Sequence, residues 1–361
     1  MGEEGDGNLN LMNTGGSLPV PNVQAISDSS KNCTEIPEKY VRPEMSESVV
    51  QNGAAGPGDF PIIDLSRLYQ DSEEEITKLG AACEDWGFFM LINHGVPDEV
   101  INKIRGAITN FFSLPLEEKK VYAQRPGTVE GYGQTFVISE EQKLDWGDMY
   151  FLSTRPVAGR NMKLWPTNPP TFRDALHEYC EELQKVGTFL LESVQKSLKL
   201  STLMDNHKDG LQAIRVNYYP PCPQASKVLG ISPHSDAVSL TVLLQVNDVQ
   251  GLQIRKDGAW YPIKPIPGAF IVNVGDIIEI MSNGKYKSIE HRAVVDTERE
   301  RLSLATFFSP GVKGRVGPLP EILEKNEARY KSASMEEYIK MLFSFKLEGK
   351  NILDHMKLSP A

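Results

Sequence analysis

The spacing of apolar residues changes from helical to strand-like near the middle of this chain. Apolar positions recur with helical period in "DSEEEITKLGAACEDWG", where Ser72 and Glu75 form a candidate capping box, and in "DEVINKIRGAITNFFSL". The stretch from 171 to 200 predicts one long helix. Its apolar stripe consists of Leu176, Tyr179, Cys180, Leu183, Val186, Phe189 and Leu190.

After Gly210 the chain consists of short segments rich in β-forming residues. They are "AIRVNYYPP", "VLGISPH", "SLTVLLQV", "GLQIR", "AWYPI", "AFIVNVGD", "SIEHRAVV" and "RLSLATFFSP", with turn signals such as Asp257-Gly258 and Asn283-Gly284 between some of them. Strands this short and numerous predict a sandwich or barrel. Helical spacing returns near the C-terminus, where Ser334 and Glu337 form another candidate capping box.

The first 58 residues differ in composition from the rest. They are rich in Gly, Ser, Asn and Pro, so we expect a mostly mobile leader in which "EIPEKYVRPE" is the ordered exception. Two short apolar runs follow, "FPIIDLSRL" and "WGFFMLINHGV", and both are typical of strands. Continuous order is therefore expected from Phe60 onward.

Composition excludes several classes of protein. The chain has 361 residues, 40% of them hydrophobic, which is enough for a sizeable core, and its net charge of −10 argues against nucleic acid as a partner. Four scattered cysteines indicate a reducing compartment. Neither a secretory signal nor an apolar run of membrane-spanning length is present. We expect a cytoplasmic monomer that acts on a small molecule without a membrane partner.

Candidate metal ligands lie in two of the strand-like segments. In "ISPHSDAVSLTVLLQ", alternation along a strand lets His234 and Asp236 point to one side, and His291 lies in a separate strand. Two histidines and one carboxylate on one face of a metal leave three positions open, as in non-haem Fe(II) oxygenases. Zinc is the alternative metal, and an ordinary capping or solvated role is the alternative for the His-x-Asp pair.

A candidate acid-binding face lies in "RLSLATFFSP". Alternation places Arg301, Ser303, Ala305 and Phe307 on one side, so a guanidinium, a hydroxyl and an aromatic ring face the same way. The guanidinium and hydroxyl match a carboxylate, although a salt-bridged surface arginine is the alternative. In "RVNYYPPCP", Asn217 and Tyr219 share a face, and the Tyr219 phenol can donate to the same acid.

These motifs together resemble a known family. "WGFFMLINHGV", "NYYPPCP", "HSD", "NVGD", "EHR" and "RLS", in this order, are similar to the plant 2-oxoglutarate- and Fe(II)-dependent dioxygenases, from about residue 35 to the C-terminus. "EGYGQTFVISEEQKLDWGDMYFL" is most similar to the senescence-related, codeine-O-demethylase-like branch. The resemblance implies the cofactors and co-substrates Fe(II), 2-oxoglutarate and O2, with ascorbate as reductant.

The resemblance also implies residue roles. His234, Asp236 and His291 would ligate iron, Arg301 and Ser303 would hold the distal carboxylate of 2-oxoglutarate, Tyr219 would assist, and Asn217 would border that site. Matching to the family's pocket positions implies substrate contacts at Phe307, Met149, Phe151, Tyr132 and Phe136. An ordinary barrel-core role is the alternative for Phe307.

We therefore expect an α+β fold with a distorted double-stranded β-helix, or jelly roll, at its core. The expected segments are the leader at 1–58, an N-terminal α/β region at 59–209, the β-helix at 210–312 and C-terminal helices at 313–361. The expected reaction is hydroxylation or O-demethylation of a small, largely apolar plant metabolite. Two alternatives remain: desaturation, ring closure or condensation at the same iron, and a non-catalytic binding protein that retains the fold.

Overall fold

Two β-sheets face each other across a central cavity in the computed structural model. The structure describes residues 17–29, 35–51, 60–125, 127–134, 137–344 and 349–359. In chain order the strands are β1 (Ile62–Asp64), β2 (Phe88–Ile92), β3 (Gly131–Gly133), β4 (Asp148–Arg155), β5 (Leu211–Tyr219), β6 (Ile231–His234), β7 (Leu240–Gln245), β8 (Leu252–Lys256), β9 (Ala259–Pro262), β10 (Phe270–Val274), β11 (His291–Ala293), β12 (Arg301–Ser309), β13 (Arg315–Val316) and β14 (Ala333–Ser334).

The larger sheet has eight strands in the order β1-β2-β10-β7-β12-β5-β4-β3, and the smaller has four in the order β6-β11-β8-β9. Strands β1 and β2 pair in parallel, whereas β5, β7, β10 and β12 pair antiparallel with their neighbours. This is the jelly-roll core expected from the sequence, because strands adjacent in one sheet are far apart in the chain.

Strands from the N-terminal region extend the larger sheet at both edges. β1 and β2 join beside β10, and β3 and β4 join beside β5. The boundary that we placed at residue 210 therefore separates two stretches of chain within one continuous sheet. The N-terminal region folds as part of the same structural unit as the barrel.

Helices flank the two sheets, and the longest of them lies on the outer face of the larger sheet. The helices are α1 (Val23–Ser29), α2 (Leu65–Tyr69), α3 (Glu73–Asp85), α4 (Asp98–Phe112), α5 (Leu116–Lys120), α6 (Phe172–Leu198), α7 (Asp276–Met281), α8 (Pro320–Leu323), α9 (Met335–Leu342) and α10 (Asn351–Met356). Helix α6 packs against α3 and α4 and buries the predicted stripe, except that Phe189 is half-buried and stacks on Tyr69. Within the described residues, no helix is both long and apolar enough to cross a membrane.

The structure confirms some of the capping and turn signals in the sequence and contradicts others. Ser334 and Glu337 form a complete capping box. In the other candidate box the Ser72 hydroxyl accepts a hydrogen bond from the Glu75 backbone N–H, but the Glu75 carboxylate accepts one from the Asp64 backbone N–H and not from that of Ser72. Asp257-Gly258 turns the β8–β9 hairpin with positive φ at both residues. Asn283-Gly284 instead follows the buried helix α7, whose isoleucines suit a strand as well as a helix, so that their pattern alone does not predict this helix.

The leader is more ordered than its composition indicates. Besides the expected segment near residue 40, the leader contains helix α1. The Asp148 carboxylate anchors this helix by accepting hydrogen bonds from the backbone N–H groups of Val23 and Gln24 at 3.0 and 2.9 Å. Val23 and Tyr40 are buried. These anchors are few and far apart in the chain, so average composition does not reveal them. Residues 1–16, 30–34 and 52–59 lie outside the described residues.

We expect Gly187→Ala to lower the free energy of unfolding by at least about 1 kcal/mol, because filling a packed core beyond its volume is destabilising. A Cβ at Gly187 in α6 would stand 2.3 Å from the Phe308 ring on β12. The matched control is Gly106→Ala in α4, where a Cβ meets nothing within 4 Å and alanine is the better helix former. Urea unfolding compares the two, and equal stability of both variants would contradict this account of the interface.

Candidate active site

Three side chains with metal-ligating atoms converge at the end of the smaller sheet. His234 ends β6 and His291 begins β11, and the two residues are paired across these antiparallel strands. Asp236 follows β6, and its Oδ1 lies 3.5 Å from His234 Nε2 and 3.7 Å from His291 Nε2. One ligand atom from each of the three residues lies within 4.8 Å of the others.

Backbone contacts orient both imidazole rings. Nδ1 of His234 lies 2.8 Å from the Ser232 carbonyl oxygen, and Nδ1 of His291 lies 3.2 Å from that of Ile289. A carbonyl can only accept, so each Nδ1 carries the proton, and each Nε2 keeps its lone pair for the space near Asp236. Such contacts fix the tautomer of a metal-binding histidine.

Hydrogen bonds from two side chains orient the Asp236 carboxylate. Its Oδ2 accepts hydrogen bonds from the Thr241 hydroxyl at 2.6 Å and from the Asn273 amide at 2.8 Å, which leaves Oδ1 toward the histidines. Burial raises the pKa of the Asp236 carboxyl, but His291, His234 and Asn273 outweigh it, so that the pKa falls below its usual value. Burial and then His234 lower the pKa of His291 to about 4.

The donor set fits a divalent metal. At neutral pH it offers a carboxylate and a neutral His291, the protonation states that metal binding requires, and the remaining polar atoms of these groups already have partners. Two imidazoles and one carboxylate on one side, with a cavity on the other, are the ligands of an Fe(II) site with open positions.

The cavity beside this cluster has a volume of about 200 Å³ and is mostly apolar. The four residues expected to hold the co-substrate all line it, namely Arg301, Ser303, Tyr219 and Asn217. Strand register explains this, because Arg301 of β12 pairs with Tyr219 of β5, and Ser303 pairs with Asn217. Alternate residues of both strands therefore face the cavity, as the sequence predicts.

Arg301 is suited to bind an acid. It is only 2% exposed, its Nη2 donates to Gln245 Oε1 at 3.2 Å, and its Nε is buried without a partner among the described residues. A buried guanidinium with a free donor requires an acceptor, and a carboxylate supplies one with matching geometry.

The expected substrate contacts are only partly brought together. Phe307 and Phe151 line the cavity. Met149 is buried on the same face of β4 as Phe151 but is not among the residues that line it. Phe136 lies outside the described residues.

Tyr132 does not lie where we expected it. It pairs in register with Tyr150, so its side chain lies on the outer face of the sheet, where its ring packs against Phe111 and Phe112. Its hydroxyl accepts a hydrogen bond from Asn22. Tyr132 is therefore a core residue, because alternation along β3 turns it away from the cavity.

Two features of the site were not predicted from the sequence. Arg215 lines the cavity two residues before Asn217 on β5, and the same alternation along "RVNYYPP" could have identified it. Helix α9 also forms part of the wall through Met335, Tyr338, Ile339 and Leu342, for which a helical pattern alone gives no signal.

The leader also contacts β6, the strand that ends at His234. Arg42 Nη2 lies 2.7 Å from the Ser232 hydroxyl and 3.0 Å from Asp145 Oδ1, and the Ser232 hydroxyl donates to the same carboxylate. Ser232 is the residue whose carbonyl oxygen orients His234. The leader thereby supports β6 through one half-buried arginine.

Comparison with known proteins agrees with this geometry. Residues 60–168 match the family described as non-haem dioxygenase in morphine synthesis N-terminal, and residues 210–310 match the 2OG-Fe(II) oxygenase superfamily. The chain is 48% identical over 348 residues to 2-oxoglutarate-dependent dioxygenase 11 of Oryza sativa subsp. japonica, which covers 95% of this chain and 98% of the relative. The chain belongs to the 2OG-Fe(II) oxygenase superfamily.

Other members of the superfamily are similar over nearly the whole chain. S-norcoclaurine synthase 1 of Coptis japonica is 49% identical, with 97% of this chain and 99% of the relative covered. Codeine O-demethylase of Papaver somniferum is 42% identical, with 96% and 99% covered. The crystal structure of JOX2 in complex with 2OG, Fe and JA superimposes with a TM-score of 0.86 at 35% identity and covers 95% of this chain and 99% of that one.

The expected family, branch and fold are thus confirmed, and the protein is a 2-oxoglutarate-dependent dioxygenase with Fe(II) and 2-oxoglutarate as its cofactor and co-substrate. The buried His234, Asp236 and His291 cluster and the free Nε of Arg301 fit these two groups.

We expect Thr241→Val to weaken metal binding by about 10- to 100-fold, the usual effect of losing a group that orients a ligand. The substitution removes the hydroxyl that donates to Asp236 Oδ2 and conserves side-chain volume. Thr109→Val, on the exposed side of α4, is the control. Titration with Co(II), followed by its visible absorption, measures both affinities, and equal values would exclude this role of Thr241.

Proposed function

We propose that this oxygenase hydroxylates or O-demethylates a small, largely apolar plant metabolite at an iron held by His234, Asp236 and His291. The observation that carries the proposal is the apolar cavity that has this cluster on one wall and Arg301 on another. When bound, Fe(II), 2-oxoglutarate and O2 supply the oxidising chemistry, which releases succinate and CO2. The residues of the chain bind and orient the substrate and co-substrate, and they exclude water from the cavity.

Arg301 and Ser303 hold the distal carboxylate of 2-oxoglutarate in this proposal. The Nε of Arg301 is free, and Ser303 faces the cavity one alternate position further along β12. The Arg301 guanidinium carbon lies 5.2 Å from the centre of the Tyr219 ring, so the tyrosine supports the arginine as well as the acid. Asn217 borders the same site beside Ser303.

The substrate lies beside Phe151 and Phe307, which present aromatic rings to the cavity. O-demethylation is supported by relatives that are named demethylases: codeine O-demethylase at 42% identity, thebaine 6-O-demethylase at 38%, and oxoglutarate-dependent flavonoid 7-O-demethylase 1 at 43%. Phe151 and Phe307 would orient the substrate so that one of its C–H bonds lies nearest the metal that the His234, Asp236 and His291 cluster would hold, and this orientation would select between hydroxylation and demethylation.

A synthase reaction at the same centre is the second candidate. S-norcoclaurine synthase 1, at 49% identity, is named a synthase rather than an oxygenase. Desaturation and ring closure belong to the same group of alternatives, since each needs only a different fate of the bound substrate. A purely binding role has less support because the metal-ligand cluster and Arg301 are both in place.

We place the enzyme in the cytoplasm as a monomer, with ascorbate keeping its iron reduced. The support is chemical: Cys83, Cys180 and Cys222 are free and buried, as suits a reducing compartment. The net charge of −10 gives no basis for binding nucleic acid.

Succinate release from labelled 2-oxoglutarate tests the proposed function. We expect one pool among alkaloids, phenylpropanoids, indoles and terpenoids to stimulate release, in dependence on iron, ascorbate and O2, together with an oxygenated or demethylated product. His234→Ala removes a metal ligand and should abolish release, whereas His177→Ala, on the exposed side of α6, should not. Product formed without succinate would favour the synthase alternative, and silence of the wild type despite bound iron and 2-oxoglutarate would favour the binding protein.

We expect Arg301→Met to weaken 2-oxoglutarate binding by about 30-fold or more, because truncating one side of a buried charged pair costs about 2–5 kcal/mol. Arg299→Met is the matched control, since Arg299 is two residues away and forms an exposed ion pair with Asp248. Calorimetric titration of 2-oxoglutarate into the Mn(II)-loaded proteins measures the difference. Equal affinity in both variants would remove Arg301 from the co-substrate site.

A further inference from the structure

A second arginine in the cavity has no acidic partner within the part of the chain that the structure describes. Arg215 of β5 lines the cavity, and its Nε is buried without a hydrogen-bond partner among the described residues. The two carboxylates whose charges reach it are committed elsewhere: Asp145 to Arg42 and Ser232, and Asp236 to the metal cluster. Burial lowers the pKa of the guanidinium, but arginine remains a cation at neutral pH.

The co-substrate does not neutralise this charge. A divalent metal and Arg301 together carry three positive charges, and Asp236 with doubly charged 2-oxoglutarate supplies three negative ones. Among the described residues that line the cavity, Arg215 then carries the one uncompensated charge. Arg215 is half-buried and its Nε is shielded from solvent, and a shielded charge without a partner is costly, so the position is suited to a ligand that brings an anion.

Arg215 lies on the substrate side of the co-substrate anchor. It pairs in register with Phe151 of β4 and Ala305 of β12, one alternate position beyond the pair formed by Asn217 and Ser303. Two residues along a strand correspond to about 7 Å. The next residue on this face of β12 is Phe307, so two aromatic side chains lie along the strands beside the guanidinium.

We propose that Arg215 is a specificity-determining residue that pairs with a carboxylate on an aromatic or apolar substrate. The inference rests on the proposed function and narrows it: the substrate is an organic acid whose ring packs against Phe151 and Phe307. The arginine fork binds the carboxylate in two hydrogen bonds and thereby sets which carbon of the ring system or side chain is nearest the metal.

The test compares acids with their own methyl esters. 4-Methoxycinnamate, 3-phenylpropionate and indole-3-acetate, each with its ester, are titrated calorimetrically into the protein loaded with Mn(II) and 2-oxoglutarate. We expect at least one acid to bind the wild type about tenfold or more tighter than its ester, in a salt-sensitive manner. Arg215→Met should abolish this preference, Arg215→Lys should retain part of it, and Arg299→Met should leave it intact.

Three results would overturn the inference: no acid binds the wild type better than its ester, the preference survives in Arg215→Met, or Arg215→Met loses 2-oxoglutarate as Arg301→Met does. The last would assign Arg215 to the co-substrate. If circular dichroism shows that Arg215→Met does not fold, Arg215→Gln replaces it, because glutamine keeps hydrogen-bond donors without the charge. Arg215→Gln must then lose the preference for the acid over its ester. An acid that binds through Arg215 without succinate release by the wild type would overturn the proposed function and leave the inference standing.

Discussion

The antiparallel pairing of β6 with β11 is the constraint on which the site depends. It sets His234 opposite His291, and the loop after β6 brings Asp236 between them. A shift of the pairing by one residue would turn one histidine to the other face of the sheet. The hydrogen bonds from each Nδ1 to a backbone carbonyl and from Thr241 and Asn273 to Asp236 then leave one ligand atom per residue for the metal.

The two sheets divide the chemistry between them. The smaller sheet carries the histidines, and the larger sheet carries Arg301 and Arg215 on alternate positions of neighbouring strands. Facing sheets lie about 10 Å apart, which is a span that a short dicarboxylic acid can bridge. Both arginines retain a buried Nε without a partner among the described residues, so the folded protein carries unsatisfied donors where we propose that its ligands bind.

The barrel is not an independent module within this chain. Four strands from the N-terminal region complete the larger sheet, α6 covers it, and the leader reaches back to the metal-site strand through Arg42 and Ser232. Asp148 anchors α1 on the neighbouring β4. The geometry of the metal site therefore rests on contacts between residues separated by more than a hundred positions in the chain.

The sequence by itself determined the periodic and local features. Alternation along β5 and β12 assigned Arg301, Ser303, Asn217 and Tyr219 to one side, and helical spacing identified α6, because period is a property of neighbouring residues. Only the tertiary structure decided that the side chain of Tyr132 on β3 faces away from the cavity. Only the tertiary structure decided that no acid among the described residues pairs with Arg215. The tertiary structure also decided which residues of the leader are anchored to the rest of the protein. These facts depend on which distant segments pair and in what register, and a pattern within one segment does not contain that information.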